Sequence, residues 1–261
     1  MSFALALTLF VLGTTGAFVA GLLGVGGAIV MIPLLLYVPP LLGVGLLDMK
    51  AVAGITMVQV FVAAVAGMIA HRRGRAVHGR LVWIGGISMA CGSLAGALVS
   101  KYTSPRFLLL VFALMATAAT GLVAVRMEAL ELPIFAEHVR FSRLRAALVS
   151  LGVGLAAGLV GAGGAFLLVP LLVLVVGVPL RVSIGSSLGI TALAAAAGLA
   201  GKTITWQVPW VLALCVAAGA VPGAPIGAYV SRRLSTRRLK AVLFVIVAAT
   251  TVRTWWDLLT R

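Results

Sequence analysis

The residues of this chain that could act on a ligand are glycines, hydroxyls and one amide. Gly21-Leu22-Leu23-Gly24-Val25-Gly26-Gly27-Ala28 recurs as Gly158-Leu159-Val160-Gly161-Ala162-Gly163-Gly164-Ala165, and Pro33 is matched by Pro170. Glycine inside a helix costs roughly 0.5–1 kcal/mol relative to alanine, so such clusters in apolar chain need a reason. Either the helices break there, or another backbone or a ligand comes close. A helix that restarts after a break offers unpaired N–H groups and the positive end of its dipole, which favours an anion. The restarts fall near Gly26-Gly27 and Gly163-Gly164, so Gly24, Gly26, Gly27, Gly161, Gly163 and Gly164 are candidate binding residues. Thr56, Gln59, Ser186 and Ser187 are candidate donors beside them, with Ser183 and Thr191 on the same stretch. A lone helix hydroxyl serves its own i−4 carbonyl equally well, so each carries a purely local alternative. Lys50 and Arg181 stand at matching places before the third segment of each half. They are candidate gate charges that attract the anion, or cations whose long stems reach the membrane interface.

Other chemistries are poorly provided for. The only acidic residues are Asp48, Glu128, Glu131, Glu137 and Asp257, and none falls in the middle of an apolar span. A buried proton relay or sodium site therefore lacks its carboxylate, Asp48 lying at a boundary. His71, His78 and His138 are in loops, so neither a Ser–His dyad nor an HExxH metal site can be drawn within the membrane. Cys91 and Cys215 lack metal-ligand spacing and are expected to pack. Gly24-Val25-Gly26-Gly27 lacks the strand–helix setting and downstream acid of a dinucleotide site. No enzyme activity, cofactor or metal is expected. The net charge of +15 sits on no soluble basic domain, which argues against nucleic acid as a partner.

These residues must be positioned by membrane helices. Of 261 residues, 62% are hydrophobic and 10% charged, and the mean hydropathy is +1.22. The runs between charged clusters are about 15–25 residues long, enough to cross a roughly 30 Å hydrocarbon core. They do not alternate as barrel strands would. An apolar run covers residues 3–38, broken only by the glycines, and spans follow at 51–70, 81–100 and 107–125. The second half repeats this with a hairpin at 146–180, spans at 182–201 and about 207–230, and a last span at 241–252 extending to Trp255-Trp256. The polar segment 126–145 separates repeat one (1–125) from repeat two (146–261) and is expected to be cytoplasmic. The absence of lysine and arginine from Met1 to Ala20 argues against a cleaved signal. Trp83, Trp206, Trp210, Trp255 and Trp256 sit near span ends, as interfacial anchors do.

Beyond the glycine cluster the halves match at an offset of 131, pairing Lys50 with Arg181, Gly54 with Gly185, Thr56 with Ser187, Gly92 with Gly223 and Gly96 with Gly227. Basic residues reverse sides between them. Arg72, Arg73, Arg75 and Arg80 follow the third segment of repeat one, whereas Arg232, Arg233, Arg237, Arg238 and Lys240 follow the fourth of repeat two. Laid on alternating faces, fourteen basic residues fall on one side and six on the other. By the positive-inside rule the repeats are inverted, and both termini lie outside the cytoplasm. From Arg145 to Gly161 and from Gly164 to Arg181 each arm reaches roughly 24–26 Å, so this hairpin is expected to turn inside the bilayer. Inverted repeats with interrupted helices are the pattern of a secondary transporter with a midplane site.

On these residues the chain resembles the TauE/SafE family of sulfite exporters. The likeness rests on Gly21 to Gly27 with Pro33, on the second copy ending at Pro170, on Ala53-Gly54-Ile55-Thr56 and Gly185-Ser186-Ser187-Leu188, and on Gly92/Gly96 and Gly223/Gly227. Ile55 departs from the small hydroxyl residue common at its place. The resemblance implies an inner-membrane protein that moves sulfite, sulfoacetate or a related organosulfonate. The expectation is an all-α polytopic fold of about five segments per repeat, exporting such an anion by alternating access. An anion channel or uniporter and a non-transporting assembly partner remain as alternatives. The partners are then a small sulfur anion and the bilayer, and a homo-oligomer is compatible with the sequence.

Overall fold

The computed structural model describes residues 3–24, 26–72, 77–124 and 141–260. Its helices are α1 (Phe3–Leu23), α2 (Ala28–Leu41), α3 (Met49–Arg72), α4 (Gly79–Val99), α5 (Pro105–Ala124), α6 (Arg143–Val160), α7 (Ala165–Leu171), α8 (Leu180–Ile204), α9 (Trp210–Arg233) and α10 (Thr236–Thr260). A 3-10 turn at Ser100–Tyr102 prolongs α4, and a π turn at Leu172–Val176 prolongs α7. No strand occurs among the described residues. Among the described residues eight helices are long and apolar enough to cross a membrane, whereas α2 and α7 with its continuation are shorter. The chain is an all-α, multi-pass membrane protein.

Layering follows burial. In their spanning windows α8 is 78% and α3 67% buried against 28% for α10, so α3 and α8 form the centre. α1 lies along α9 and α6 along α4. α3 packs on α9 and α8 on α4, while α5 pairs with α10. Each pairing thus has a counterpart with the halves exchanged.

Glycine makes the tightest seams possible. An added Cβ at Gly219, Gly223 or Gly227 of α9 would stand 2.1, 2.4 or 2.0 Å from the carbonyl oxygens of Phe10, Thr14 and Phe18. At Gly92 and Gly96 of α4 the same atom would stand 2.3 and 2.1 Å from the oxygens of Leu151 and Leu155. These contacts ascend together along both partners, so α1 runs parallel to α9, and α4 to α6. Small residues spaced by four let backbones meet where lipid offers no hydrophobic drive for helix association.

Some details differ from the sequence expectations. The last span, expected at 241–252 with an extension to Trp255-Trp256, is part of one helix that continues to Thr260, with the hydroxyls of Thr251 and Thr254 bonded back to Val247 O and Thr250 O at 2.8 Å each. Asp257 is thereby carried into α10 at 6% exposure. Cys91 is exposed, since α4 turns its glycines inward and Cys91 away from them. The linker expected at 126–145 lies outside the described residues up to 140. Ser142 caps α6 by accepting the Arg145 amide at 3.4 Å, so its last residues are already helical. Glu128, Glu131, Glu137, His138, Arg73 and Arg75 fall outside the described residues, as does the side chain of His71.

Candidate functional site

The glycine clusters are elbows. α1 ends with the Gly24 amide donating to Ala20 O at 2.9 Å, and α6 with the Gly161 amide donating to Ala157 O at 2.8 Å. Gly24, Gly26 and Gly27 have φ of 69, 72 and 77°, and Gly161, Gly163 and Gly164 of 77, 60 and 69°. This left-handed region penalises any side chain, which explains why these positions are glycine. Space gives a second reason. A Cβ at Gly24 would be 2.5 Å from Ile184 O, and one at Gly161 2.0 Å from Ala53 O. Ile184 and Ala53 are each four residues past the first of α8 and α3, about 6 Å along the axis. The elbows enter from opposite ends and meet in the middle. A Cβ at Gly26 would touch Ala165 Cβ at 3.4 Å and Thr191 Cγ2 at 3.5 Å, and one at Gly163 would strike Val60 Cγ1 at 2.3 Å.

α2 and α7 restart from Gly27 and Gly164 with no side-chain cap. Among the described residues no acceptor takes the amides of Gly163, Gly164, Ala165 or Phe166. These orphan donors of a helix start are buried.

The expected donors divide by what they touch. Thr56 Oγ1 donates across the molecule to Gly161 O at 2.9 Å, with Val52 O at 2.8 Å and Ala53 O at 3.3 Å as alternative acceptors. Ser187 Oγ donates to Gly24 O at 2.7 Å and Ile184 O at 2.9 Å. Each hydroxyl has one proton, and an elbow carbonyl of the other half is within its reach. Both act as braces. Ser186 faces elsewhere and accepts the His78 amide at 2.9 Å. Ser183 Oγ bonds Val178 O at 3.2 Å. Lys50 Nζ donates to Lys101 O at 3.0 Å and Arg181 Nη2 to Leu234 O at 3.4 Å. Each cation thus sits on carbonyls just past α4 or α9, where the dipole is negative.

Gln59 and Thr191 are different. Both are fully buried, and Gln59 Nε2, Gln59 Oε1 and Thr191 Oγ1 lack a hydrogen-bond partner among the described residues. Gln59 lies against the first elbow, its Nε2 3.1 Å from where a Gly27 Cβ would be. Thr191 abuts Gly26 and Gly163. A buried amide or hydroxyl without a partner costs about 1–3 kcal/mol, so such groups mark a place where a polar ligand fits. The elbows, Gln59 and Thr191 together present N–H and O–H donors with no carboxylate among the described residues nearby. That chemistry suits a small oxyanion. All of these groups are buried, so the centre is occluded in this conformation.

Sequence reasoning missed Lys202. The span expected at 182–201 stops just short of this lysine, but α8 continues to Ile204 and buries it completely. Its Nζ meets Ser100 Oγ at 3.0 Å, Gln207 Oε1 at 3.4 Å and Leu159 O at 3.5 Å. The available signal was the run from 182 to 204, apolar on both sides of this one charge.

The family model for the sulfite exporter TauE/SafE matches residues 9–254. A probable membrane transporter protein of Xylella fastidiosa strain Temecula1 is 32% identical over 92% of this chain and 90% of its own length. The corresponding protein of strain 9a5c is 31% identical over the same shares. The probable membrane transporter protein YunE of Bacillus subtilis is 25% identical over 92% of this chain and 93% of its own. No solved structure matches. With matched helices broken at both glycine repeats and the family model covering nearly all of its length, the chain belongs to the TauE/SafE family and is a membrane transporter, not an enzyme.

Proposed function

We propose that the protein is a secondary transporter that exports a small sulfur-containing anion, sulfite or an organosulfonate such as sulfoacetate, across the inner membrane by alternating access. The observation that carries this reading is the meeting of two uncapped helix starts beside the unpartnered polar atoms of Gln59 and Thr191. An anion there would gain several donors at once, and none of them would need to desolvate from water first. The occluded centre favours a carrier over an open channel.

Inverted repeats, 1–125 and 146–261, supply the two access states in this reading. Support comes from contacts that exchange the halves, Thr56 to Gly161 against Ser187 to Gly24. The parallel pairs α1/α9 and α4/α6 are compatible with elbows that point in opposite directions. Arg80, Arg143, Arg145 and Arg181 then share the cytoplasmic face with the α9–α10 loop, and the termini lie outside. Thr56 and Ser187 position the elbows, while Gly26, Gly27, Gly163 and Gly164 line the site. Lys50 and Arg181 anchor the ends of α4 and α9 as gate residues.

Proteoliposomes preloaded with sulfite test this. Efflux above protein-free vesicles is expected, reduced at least tenfold in Gly163→Leu. An imposed pH gradient that drives sulfite against its own gradient identifies a coupled carrier, and dissipation alone identifies a uniporter. No flux of sulfite, sulfoacetate or any related anion would overturn the proposal.

A further inference from the structure

Lys202 is a charge the central site does not use. It is fully buried in α8, two residues from the helix end. Its partners are neutral, and only Ser100 Oγ lies at a normal hydrogen-bond distance, 3.0 Å. Gln207 Oε1 at 3.4 Å and Leu159 O at 3.5 Å are at the limit of a useful bond. A buried ammonium needs an opposite charge or strong hydrogen bonds to offset the loss of water. Among the described residues none of its partners carries a negative charge. A second cation is drawn to the same turn, for Lys50 Nζ donates to Lys101 O at 3.0 Å, next to Ser100. Asp48 spends a carboxylate oxygen on the Ala51 amide at 2.9 Å instead of on either lysine.

The position is equally specific. Leu159 is in the last turn of α6, immediately before the Gly161 elbow. Gln207 O would lie 2.3 Å from a Cβ at Gly54, one residue from the Ala53 carbonyl on which Gly161 rests. Lys202, Ser100 and Gln207 thus cap the second elbow on the face where α4 and α8 end. By the 131-residue offset Ser100 pairs with Ser231, but Gln207 falls on Ala76 and Lys202 on His71, so neither Gln207 nor Lys202 is repeated in the first half.

We propose that Lys202, with Ser100 and Gln207, forms a second oxyanion subsite, a station between the α4/α8 end of the molecule and the central elbows. On arrival an anion oxygen replaces the two long neutral contacts of the ammonium. The Ser100 hydroxyl, now donating to Ala97 O at 2.6 Å, and the Gln207 amide are within reach to turn onto it. Because Lys202 and Gln207 have no like residue at the matching places of the first half, the station makes the two faces of the carrier unequal. This rests on the anion-transport reading above, but uses residues separate from the centre.

Calorimetric titration of purified full-length protein with sulfite tests it, comparing wild type, Lys202→Met, Lys202→Arg and a centre variant, Gln59→Leu with Thr191→Val. Lys202→Met is expected to weaken binding at least tenfold, with Lys202→Arg within about threefold of wild type. Sulfite affinity of Lys202→Met within twofold of wild type overturns the subsite, and if the centre variant then loses binding the central reading stands alone. Loss in Lys202→Met but not in the centre variant supports the subsite and refutes the central one. Sulfite failing to bind wild type overturns both. Wild-type crystals soaked in selenite give a readout that does not depend on a variant folding. An anomalous peak within hydrogen-bond distance of Lys202 Nζ is expected, and its absence while the centre is occupied overturns the subsite.

Discussion

Thr56→Val separates bracing from local helix bonding. If Thr56 served only its own turn through Val52 O, replacing the hydroxyl by a methyl would cost little, since i−4 back-bonding adds little to a helix. The bond to Gly161 O at 2.9 Å crosses between halves and is buried. Its loss leaves an elbow carbonyl without that donor, a cost of about 1–3 kcal/mol. For a protein of this size 1 kcal/mol shifts the melting temperature by roughly 2–4 °C, so a fall of about 2–12 °C is expected. Thr56→Ser keeps the donor and should stay near wild type. Thr8→Val removes a hydroxyl that only back-bonds, to Ala4 O at 2.8 Å, and should change nothing measurable. The assay is thermal unfolding followed by size-exclusion chromatography in detergent, with sulfite efflux measured in parallel. Thr56→Val melting within about 1 °C of Thr8→Val would refute the brace, and with it the view that each half holds the elbow of the other.

Other outcomes follow from the same geometry. Gly163→Ala places a methyl at φ 60° and 2.3 Å from Val60 Cγ1. It should destabilise by about 2–4 kcal/mol from left-handed strain plus overpacking, and Val60→Ala should rescue only part of this in the same melting assay. Gln59→Leu deletes two unpartnered polar atoms, so stability should hold or rise while sulfite affinity falls at least fivefold by titration; unchanged affinity would remove Gln59 from the site. Lys50→Met and Arg181→Met each lose a helix-end contact worth about 0.3–1 kcal/mol. Melting should fall by no more than about 4 °C, and an efflux loss above tenfold with intact melting would instead mark them as ligands of the anion.

The broken helices were legible because a glycine cluster repeated in register is a backbone statement. Gly24, Gly26 and Gly27 need φ > 0 whatever surrounds them, and sequence records that need directly. Ser187 illustrates the opposite. Its hydroxyl is as visible in the sequence as that of Ser186, yet the rotation of about 100° between neighbouring residues of α8 sends the first to Gly24 O and the second to the His78 amide. Nothing local distinguishes them.

By itself the sequence determined the membrane setting, the number and approximate ends of most helices, the duplicated elbows and the family, because hydropathy, glycine content and charge bias act residue by residue. Tertiary structure alone decided that Thr56 and Ser187 reach elbow carbonyls, and that among the described residues Gln59 and Thr191 are left with unmet polar atoms and Lys202 is buried without an acid. Those outcomes depend on how each helix is rotated and which neighbour it meets. Lipid fixes that an apolar helix must be covered, but only the packing of one helix against another fixes by whom.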